Sequence, residues 1–197
     1  MSGDLGAEVV VRAAMASLEK HADLELLLVG DQDELQDLVT RIAGNQPRIS
    51  IVHASEVVEM SESPVEALRK KKDSSMRVAL NQLKDGTAEA CVSAGNTGAL
   101  MATAKYVLKM LPGIDRPAII TELPAIGGTL HMLDLGANTL CSAEHLFQFA
   151  VMGSIVTADI TGIESPRIAL LNVGAEDTKV HDTLKDAAAM LQVSSLN

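Results

Sequence analysis

The residues best suited to chemistry follow four apolar runs, each of which ends at a glycine beside small or polar residues. The four turns are Val29-Gly30-Asp31, Ser93-Ala94-Gly95-Asn96-Thr97-Gly98, Asp134-Leu135-Gly136-Ala137-Asn138 and Asn172-Val173-Gly174-Ala175-Glu176. In open α/β sheets, ligands bind beyond the carboxyl ends of the strands. Glycine at such a position allows a sharp turn and a close approach to the ligand. We therefore expect these turns to lie along one edge of a sheet and to bind an oxyanion through main-chain amides.

The second turn is the most informative because it opens a predicted helix directly after a predicted strand. The first turn of a helix has free N–H groups at the positive end of the helix dipole, where anions such as phosphate bind. The side chains of Asn96 and Thr97 would add donors. The alternative is an ordinary strand-to-helix turn with a polar cap, and the residues alone leave both interpretations open.

Basic residues could add charge to such a site. Lys179 follows the fourth turn and could hold a phosphate as a point charge; alternatively it is a surface lysine paired with Glu176 or Asp177. The densest basic cluster consists of Arg69, Lys70, Lys71, Lys72 and Arg77. This cluster is either a solvated helix face or a docking patch for an acidic partner.

Composition and missing motifs exclude several classes of function. The 197 residues carry a net charge of −10 with 2% aromatics, which argues against nucleic-acid binding. The sequence has no nucleotide-triphosphate loop, no dinucleotide fingerprint and no hydrolase serine elbow. The five histidines show no metal-ligand spacing. The sequence thus shows no motif typical of a metal site or of a nucleotide cofactor site.

Two cysteines indicate a reduced, cytosolic protein. Cys91 lies in an apolar run and is expected to be buried and inert, whereas Cys141 lies at a loop or helix start and could be reactive. The longest apolar stretch, 146–155, is too short to span a bilayer and is interrupted by Gln148.

Apolar periodicity predicts alternating strands and helices. The predicted strands are 24–29, 49–52, 88–93, 118–121, 131–135 and 168–173, and the predicted helices are 34–43, 76–83, 97–110, 143–157 and 182–191. A further helix is predicted to begin at a capping box of Ser63 and Glu66 with Pro64 at its first position. This order predicts one α/β domain over 1–197, with a mostly parallel sheet and helices on both faces.

Several motifs occur in a fixed order. They are Met1-Ser2-Gly3-Asp4-Leu5-Gly6, Lys71-Lys72-Asp73-Ser74-Ser75-Met76, Cys91 to Met101, Gly113-Ile114-Asp115-Arg116-Pro117-Ala118, Leu133 to Asn138, Gln148-Phe149-Ala150-Val151-Met152-Gly153-Ser154, and Leu171-Asn172-Val173-Gly174 with Glu176 and Lys179. Together they resemble the bacterial phosphate acyltransferase (PlsX) family over nearly all of the chain. The departures are Ser2 in place of a glycine, Thr139-Leu140 where the family has Val-Asp, and Ala125 to Gly128 after Leu123-Pro124. The resemblance also implies truncation at both ends.

The resemblance implies transfer of a long acyl chain from acyl carrier protein to inorganic phosphate, for phospholipid synthesis, without a cofactor. It also implies a fold like the isocitrate and isopropylmalate dehydrogenases and the phosphotransacetylases, and a cytoplasmic homodimer with possible peripheral membrane contact. The expected catalytic residues are Lys179 and Asn138; the expected phosphate or substrate contacts are Asp4, Ser74, Ser75, Ser93, Gly95, Asn96, Thr97 and Gly98; the expected carrier-protein contacts are Arg69, Lys71 and Lys72. The alternatives are a phosphotransacetylase-like enzyme acting on acyl-coenzyme A and an inactive fragment that serves only in interaction or dimerisation.

Overall fold

The computed structural model describes residues 3–136, 138, 140–172 and 181–197. The chain divides into two compact units, Met1–Lys109 and Met110–Asn197. The elements of the first unit are α1 (Gly6–Lys20), β1 (Leu26–Gly30), α2 (Gln32–Ala43), β2 (Ile49–His53), α3 (Pro64–Lys70), α4 (Ser75–Lys84) and α5 (Thr97–Leu108). Those of the second unit are β3 (Ile120–Ala125), β4 (Gly128–Leu133), α6 (Ala143–Thr161) and α7 (Asp182–Gln192).

The first unit is built on a β–α–β motif. Strands β1 and β2 are parallel, with Leu26 opposite Ile49 and Gly30 opposite His53. Helix α2 connects them and begins at Asp31, whose side chain accepts the N–H of Glu34. Apolar residues from α1, β1 and α2 form one core: Ala7, Val11, Ala14, Leu28, Leu35, Leu38 and Val39. Burial of these aliphatic side chains is the main stabilising contribution in this half of the unit.

Helix α1 was not predicted, although its buried residues Val11, Ala14 and Leu18 recur at helical spacing. Its carboxyl end is held by Arg48, whose guanidinium donates to the main-chain carbonyls of Leu18, His21, Ala22 and Leu24 at 2.8–3.3 Å. A cation at the carboxyl end of a helix also interacts favourably with the helix dipole. Arg48 therefore fixes the exit of α1 beside the start of β2.

Helices α3, α4 and α5 pack around a second core formed by Val58, Ala67, Met76 and Ala99. The start of α5 lies very close to α3, because a Cβ at Gly98 would be 3.0 Å from Pro64 Cγ. That distance is shorter than an ordinary carbon contact. Glycine at position 98 is thus explained by helix packing.

The second unit contains an antiparallel hairpin. Strand β3 pairs with β4, with Ile120 opposite Leu133 and Ala125 opposite Gly128, and α6 packs on β4. A Cβ at Gly153 of α6 would lie 2.8 Å from Leu133 Cδ1. Helix α7 in turn packs on α6. No helix in the described ranges is both long and apolar enough to cross a membrane.

The predicted helices are confirmed, with ends shifted by at most four residues, but two predicted strands are wrong. Residues 88–93 and 168–172 form no strand, and residue 173 lies outside the described residues. Val92 is 96% exposed and Leu171 is 80% exposed. A strand requires a ladder of hydrogen bonds to a neighbouring strand, and neither run belongs to the two strand pairs of the described residues.

The predicted capping box is also wrong. The Ser63 side chain makes no capping hydrogen bond, and Glu66 pairs with Lys70 one turn later at 2.8 Å. Pro64 does occupy the start of α3 as predicted. The mixed α/β class is confirmed. The described strands form one parallel and one antiparallel pair, and a single, mostly parallel sheet within one domain stays a prediction.

Candidate functional site

Asn96 organises the start of α5, the predicted anion-binding helix. Its side chain is buried, and its Oδ1 accepts the N–H of Ala99 at 3.0 Å. Its Nδ2 donates to the carbonyls of Glu59, Met60 and Glu62 at 3.2, 3.0 and 2.8 Å. An amide has only two such hydrogens, so these donors are engaged within the protein. The expected contact of the Asn96 side chain with phosphate stays a prediction, and it would require the amide to leave these carbonyls.

The main chain of the first turn of α5 is better placed to meet a ligand. Thr97 and Gly98 are the first two residues of the helix and both are exposed. N–H groups at these positions have no acceptor within the helix. The N–H of Ala99 differs because Asn96 caps it. The amino-terminal end of α5 thus has two exposed residues, Thr97 and Gly98, whose N–H groups carry the partial positive charge of the helix end.

The turn before α5 meets the first loop of the chain. The N–H of Gly95 donates to Ser93 Oγ at 3.2 Å, which closes the turn. Gly3 lies against the next residue, since a Cβ there would be 3.2 Å from the carbonyl oxygen of Ala94. Asp4 and Ala94 line one cavity of about 200 Å³. The structure therefore brings together two segments that the sequence pointed to separately.

Ser74 and Ser75, two expected substrate contacts, are buried. Ser74 Oγ caps α4 by accepting the N–H of Arg77 at 3.4 Å and donates to the carbonyl of Lys71 at 3.0 Å. The main-chain N–H of Ser75 donates to the carbonyl of Glu56 at 3.0 Å. Both serines thus stabilise the loop before α4, and their contact with substrate stays a prediction.

The neighbouring Asp73 ties the same loop to the end of β2. Its Oδ2 accepts the N–H and the hydroxyl of Ser55 at 2.9 and 2.6 Å. The hydroxyl first, and then the N–H, lower the pKa of Asp73. The carboxylate is therefore the form that holds the two segments together.

The basic cluster is partly neutralised within the protein. Lys71 Nζ pairs with Glu62 Oε2 at 2.6 Å and donates to the carbonyl of Val57. The hydrogen bond from Lys71 to Glu62 is the main cause of the lowered pKa of Glu62. Arg69 and Lys72 are exposed. Of the three expected carrier-protein contacts, these two project into solvent and Lys71 is engaged.

In the second unit, Asn138 holds two loops together. Its Nδ2 donates to the carbonyl of Pro117 at 3.1 Å and to Asp134 Oδ1 at 3.0 Å. Its main-chain N–H donates to the same Oδ1 at 3.1 Å. Because both amide hydrogens are engaged, the expected donation from Asn138 to an oxyanion stays a prediction that requires one of these bonds to open.

Cys141 lies beside the same carboxylate, with its Sγ 3.5 Å from Asp134 Oδ2. Burial, and then the hydrogen bond to Asp134, raise the pKa of the Cys141 thiol. A raised pKa disfavours the reactive thiolate, so the environment argues against the suggestion that Cys141 is reactive. Burial likewise raises the pKa of Cys91, which is partly rather than fully buried.

Sequence reasoning missed the role of Asp134, which directly follows β4 and has a left-handed φ of 66°. Asp and Asn are the residues that most readily adopt this conformation besides glycine. The sequence does contain a signal for this role: Asp134 lies near the end of a predicted strand and four residues before Asn138. That spacing suits a local hydrogen bond between the Asp134 side chain and the main chain. Gln148 and Asp115 were also missed; they exchange two hydrogen bonds at 2.8 and 2.7 Å.

Other expectations are not tested. Lys179 and Gly174 lie outside the described residues. Gly98 and Asn138 belong to different compact units, so their expected position on one edge stays a prediction. Among the described residues, no three histidine, cysteine or acidic side chains are grouped so as to hold a metal ion.

Comparison with known proteins identifies the family. A family described as "Fatty acid synthesis protein" matches residues 1–197. A phosphate acyltransferase of Halorhodospira halophila is 55% identical over 194 residues, covering 97% of this chain and 56% of that protein. A phosphate acyltransferase of Legionella pneumophila (strain Paris) is 54% identical over 197 residues, covering 100% of this chain and 58% of that protein. The chain thus spans under two thirds of the length of these curated relatives, and it belongs to the fatty acid synthesis protein family, that of the PlsX phosphate acyltransferases.

Proposed function

We propose that this chain carries part of the catalytic domain of a phosphate acyltransferase, which moves a long acyl chain from acyl carrier protein to inorganic phosphate. The observation that carries the proposal is the exposed first turn of α5 in a chain 55% identical to a phosphate acyltransferase. The Thr97 and Gly98 amides offer the main-chain donors that a phosphate needs. Lys179 would add a positive charge.

The reaction requires little acid–base chemistry from the protein. A phosphate oxygen attacks the thioester carbonyl and forms a carbon–oxygen bond. The tetrahedral intermediate then collapses with cleavage of the carbon–sulfur bond, and the thiolate of the carrier takes up a proton. Because phosphate is already an anion, the protein must mainly align the reactants and stabilise the oxyanion. A donor such as Asn138 would be worth roughly 3 kcal/mol of barrier.

The expected partner is acidic acyl carrier protein, which the exposed Arg69 and Lys72 would attract. Such charges raise the association rate, which matters for a chain with a net charge of −10. The proposal also includes a mostly parallel sheet like that of the isocitrate dehydrogenases, a homodimer, and a cytoplasmic location with peripheral membrane contact.

The test is thiol release from long-chain acyl carrier protein, measured with and without phosphate. We expect release only with phosphate, and we expect Lys179→Ala and Asn138→Ala to slow it. Lys185→Ala is the matched control, because Lys185 is a half-exposed lysine of α7 that the scheme does not use. Faster release from acetyl-coenzyme A than from the carrier would favour the phosphotransacetylase-like alternative. No phosphate-dependent release from either donor would refute the proposal.

A further inference from the structure

Helix α1 has a second apolar surface outside the core. Its inner face is buried, but Leu5, Val9 and Val10 on its outer side are 75%, 44% and 40% exposed. A helix on a protein surface normally carries polar residues there. These three side chains instead line a cavity of about 200 Å³, together with Gly3, Asp4, Gly6 and Ala94.

This cavity adjoins the candidate phosphate site within the same compact unit. Ala94, on its wall, is three residues before Thr97, whose main-chain amide begins α5. Gly3, on the other wall, has a φ of 121°, and a Cβ there would lie only 3.2 Å from the Ala94 carbonyl oxygen. An apolar ligand lying in the cavity would therefore end next to the turn that presents the phosphate-binding amides.

We propose that this cavity binds the methylene segment of the acyl chain next to the thioester, an inference that rests on the proposed function. Leu5, Val9 and Val10 provide aliphatic walls and no aromatic surface on which a ring could stack. Asp4 is the one charged residue of the lining, and the other six residues are glycine or aliphatic. An uncharged aliphatic chain is the part of the substrate that matches this lining.

The size of the cavity limits what it holds. Pockets that enclose a whole drug-sized ligand have volumes of roughly 300–1,000 Å³, and this one measures about 200 Å³. It therefore holds a part of a long chain. Each methylene removed from water is worth about a fourfold change in affinity. A variant that loses contact with one or two methylenes should thus weaken long-chain binding about 4- to 15-fold.

Leu5→Ser is the sharpest test, because Leu5 is the N-cap of α1 and makes no side-chain cap. Serine is a preferred N-cap residue, so the substitution removes an apolar wall without weakening the helix. Leu111→Ser is the matched control, since Leu111 is also 75% exposed but does not line the cavity. Binding of cis-parinaric acid, a fluorescent long-chain fatty acid, is titrated in the 197-residue chain and in both variants.

We expect Leu5→Ser to weaken parinaric acid binding about 4- to 15-fold and Leu111→Ser to leave it unchanged. In Leu5→Ser, the KM for a hexadecanoyl thioester donor should rise above that of the parent chain. The KM for an acetyl thioester donor should stay unchanged. Equal binding by all three proteins, equal losses in both variants, or no binding to the parent chain would overturn the proposal. Transfer that fails with every donor while parinaric acid binding still responds to Leu5→Ser would refute the proposed function and leave this site standing.

Discussion

A single proline substitution, which removes one main-chain N–H group, can test whether phosphate is bound by the main chain of α5. Thr97 is the first residue of α5, and proline is well tolerated at that position. The preceding residue must be extended, and Asn96 has φ −56° and ψ 110°. Thr97→Pro should therefore leave α5 and its Asn96 cap in place. It removes one N–H group that has no acceptor within the helix.

The expected loss of phosphate affinity in Thr97→Pro follows from the free energy that one charge-assisted hydrogen bond contributes. Such a bond contributes about 1.5–3 kcal/mol, which corresponds to a rise of about 10- to 150-fold in the KM for phosphate. The free energy of unfolding should stay within about 1 kcal/mol of the parent, because a compatible proline slightly favours the folded state. Phosphate-dependent thiol release and urea unfolding measure the two quantities on the same samples.

Thr97→Ala is the control, because it removes the hydroxyl and keeps the main-chain N–H. If Thr97→Ala raises the KM as much as Thr97→Pro, the side chain rather than the backbone contacts phosphate. If Thr97→Pro folds normally and keeps the parent KM, the amide of residue 97 does not bind phosphate, and the reasoning from the first turn of α5 is wrong.

Three further tests probe the contacts of Asn96, Gly98 and Asp73. Asn96→Asp should destabilise the chain more than Asn96→Ala in urea unfolding at neutral pH, because it turns a buried carboxylate toward three carbonyls; the reverse order would contradict the assigned hydrogen bonds. Gly98→Ala should cost about 1–3 kcal/mol, and Pro64→Ala in the same chain should recover most of it if the 3.0 Å approach is the cause; no recovery would reject that cause. Because Ser55 lowers the pKa of Asp73 in the folded state, the stability from this pair is present above the unfolded pKa of about 3.9 and is lost as the pH falls through the folded-state value. Asp73→Asn should therefore flatten the loss of stability in unfolding curves at acid pH, and an unchanged pH profile would show that the contact contributes nothing.

The elements that the sequence predicted well are those whose formation depends on residues close together in the sequence. Helix α2 begins at Asp31, a capping residue, and buries Leu35, Leu38 and Val39 at helical spacing. The parallel pair of β1 and β2 follows because such a helix joins two short apolar runs. In contrast, residues 88–93 have a strand-like composition, yet strand formation depends on a partner distant in sequence.

The sequence pointed to segments of the candidate site but not to the contacts of their side chains. The turn before α5 and the first loop do meet, at Ala94 and Gly3. The direction of the polar side chains could not be read from the sequence, because Asn96 suits a ligand and a helix cap equally well. Burial and the carbonyls of the 59–62 loop decide between these roles. Neither burial nor those contacts follows from local spacing.

These contacts suggest how an anion site can be built without free polar side chains. In the first unit, Asn96 and Ser74 direct their side-chain hydrogen bonds to main-chain groups of the loops around them. A loop held in this way costs little reorganisation when a ligand arrives. The main-chain N–H groups of Thr97 and Gly98 then become the useful donors, and the side chains of Asn96 and Ser74 act by keeping them in position. On this view, replacing Asn96 should raise the KM for phosphate and lower stability together, whereas Thr97→Pro should raise the KM alone. Equal stability losses in the two variants would contradict this division of roles.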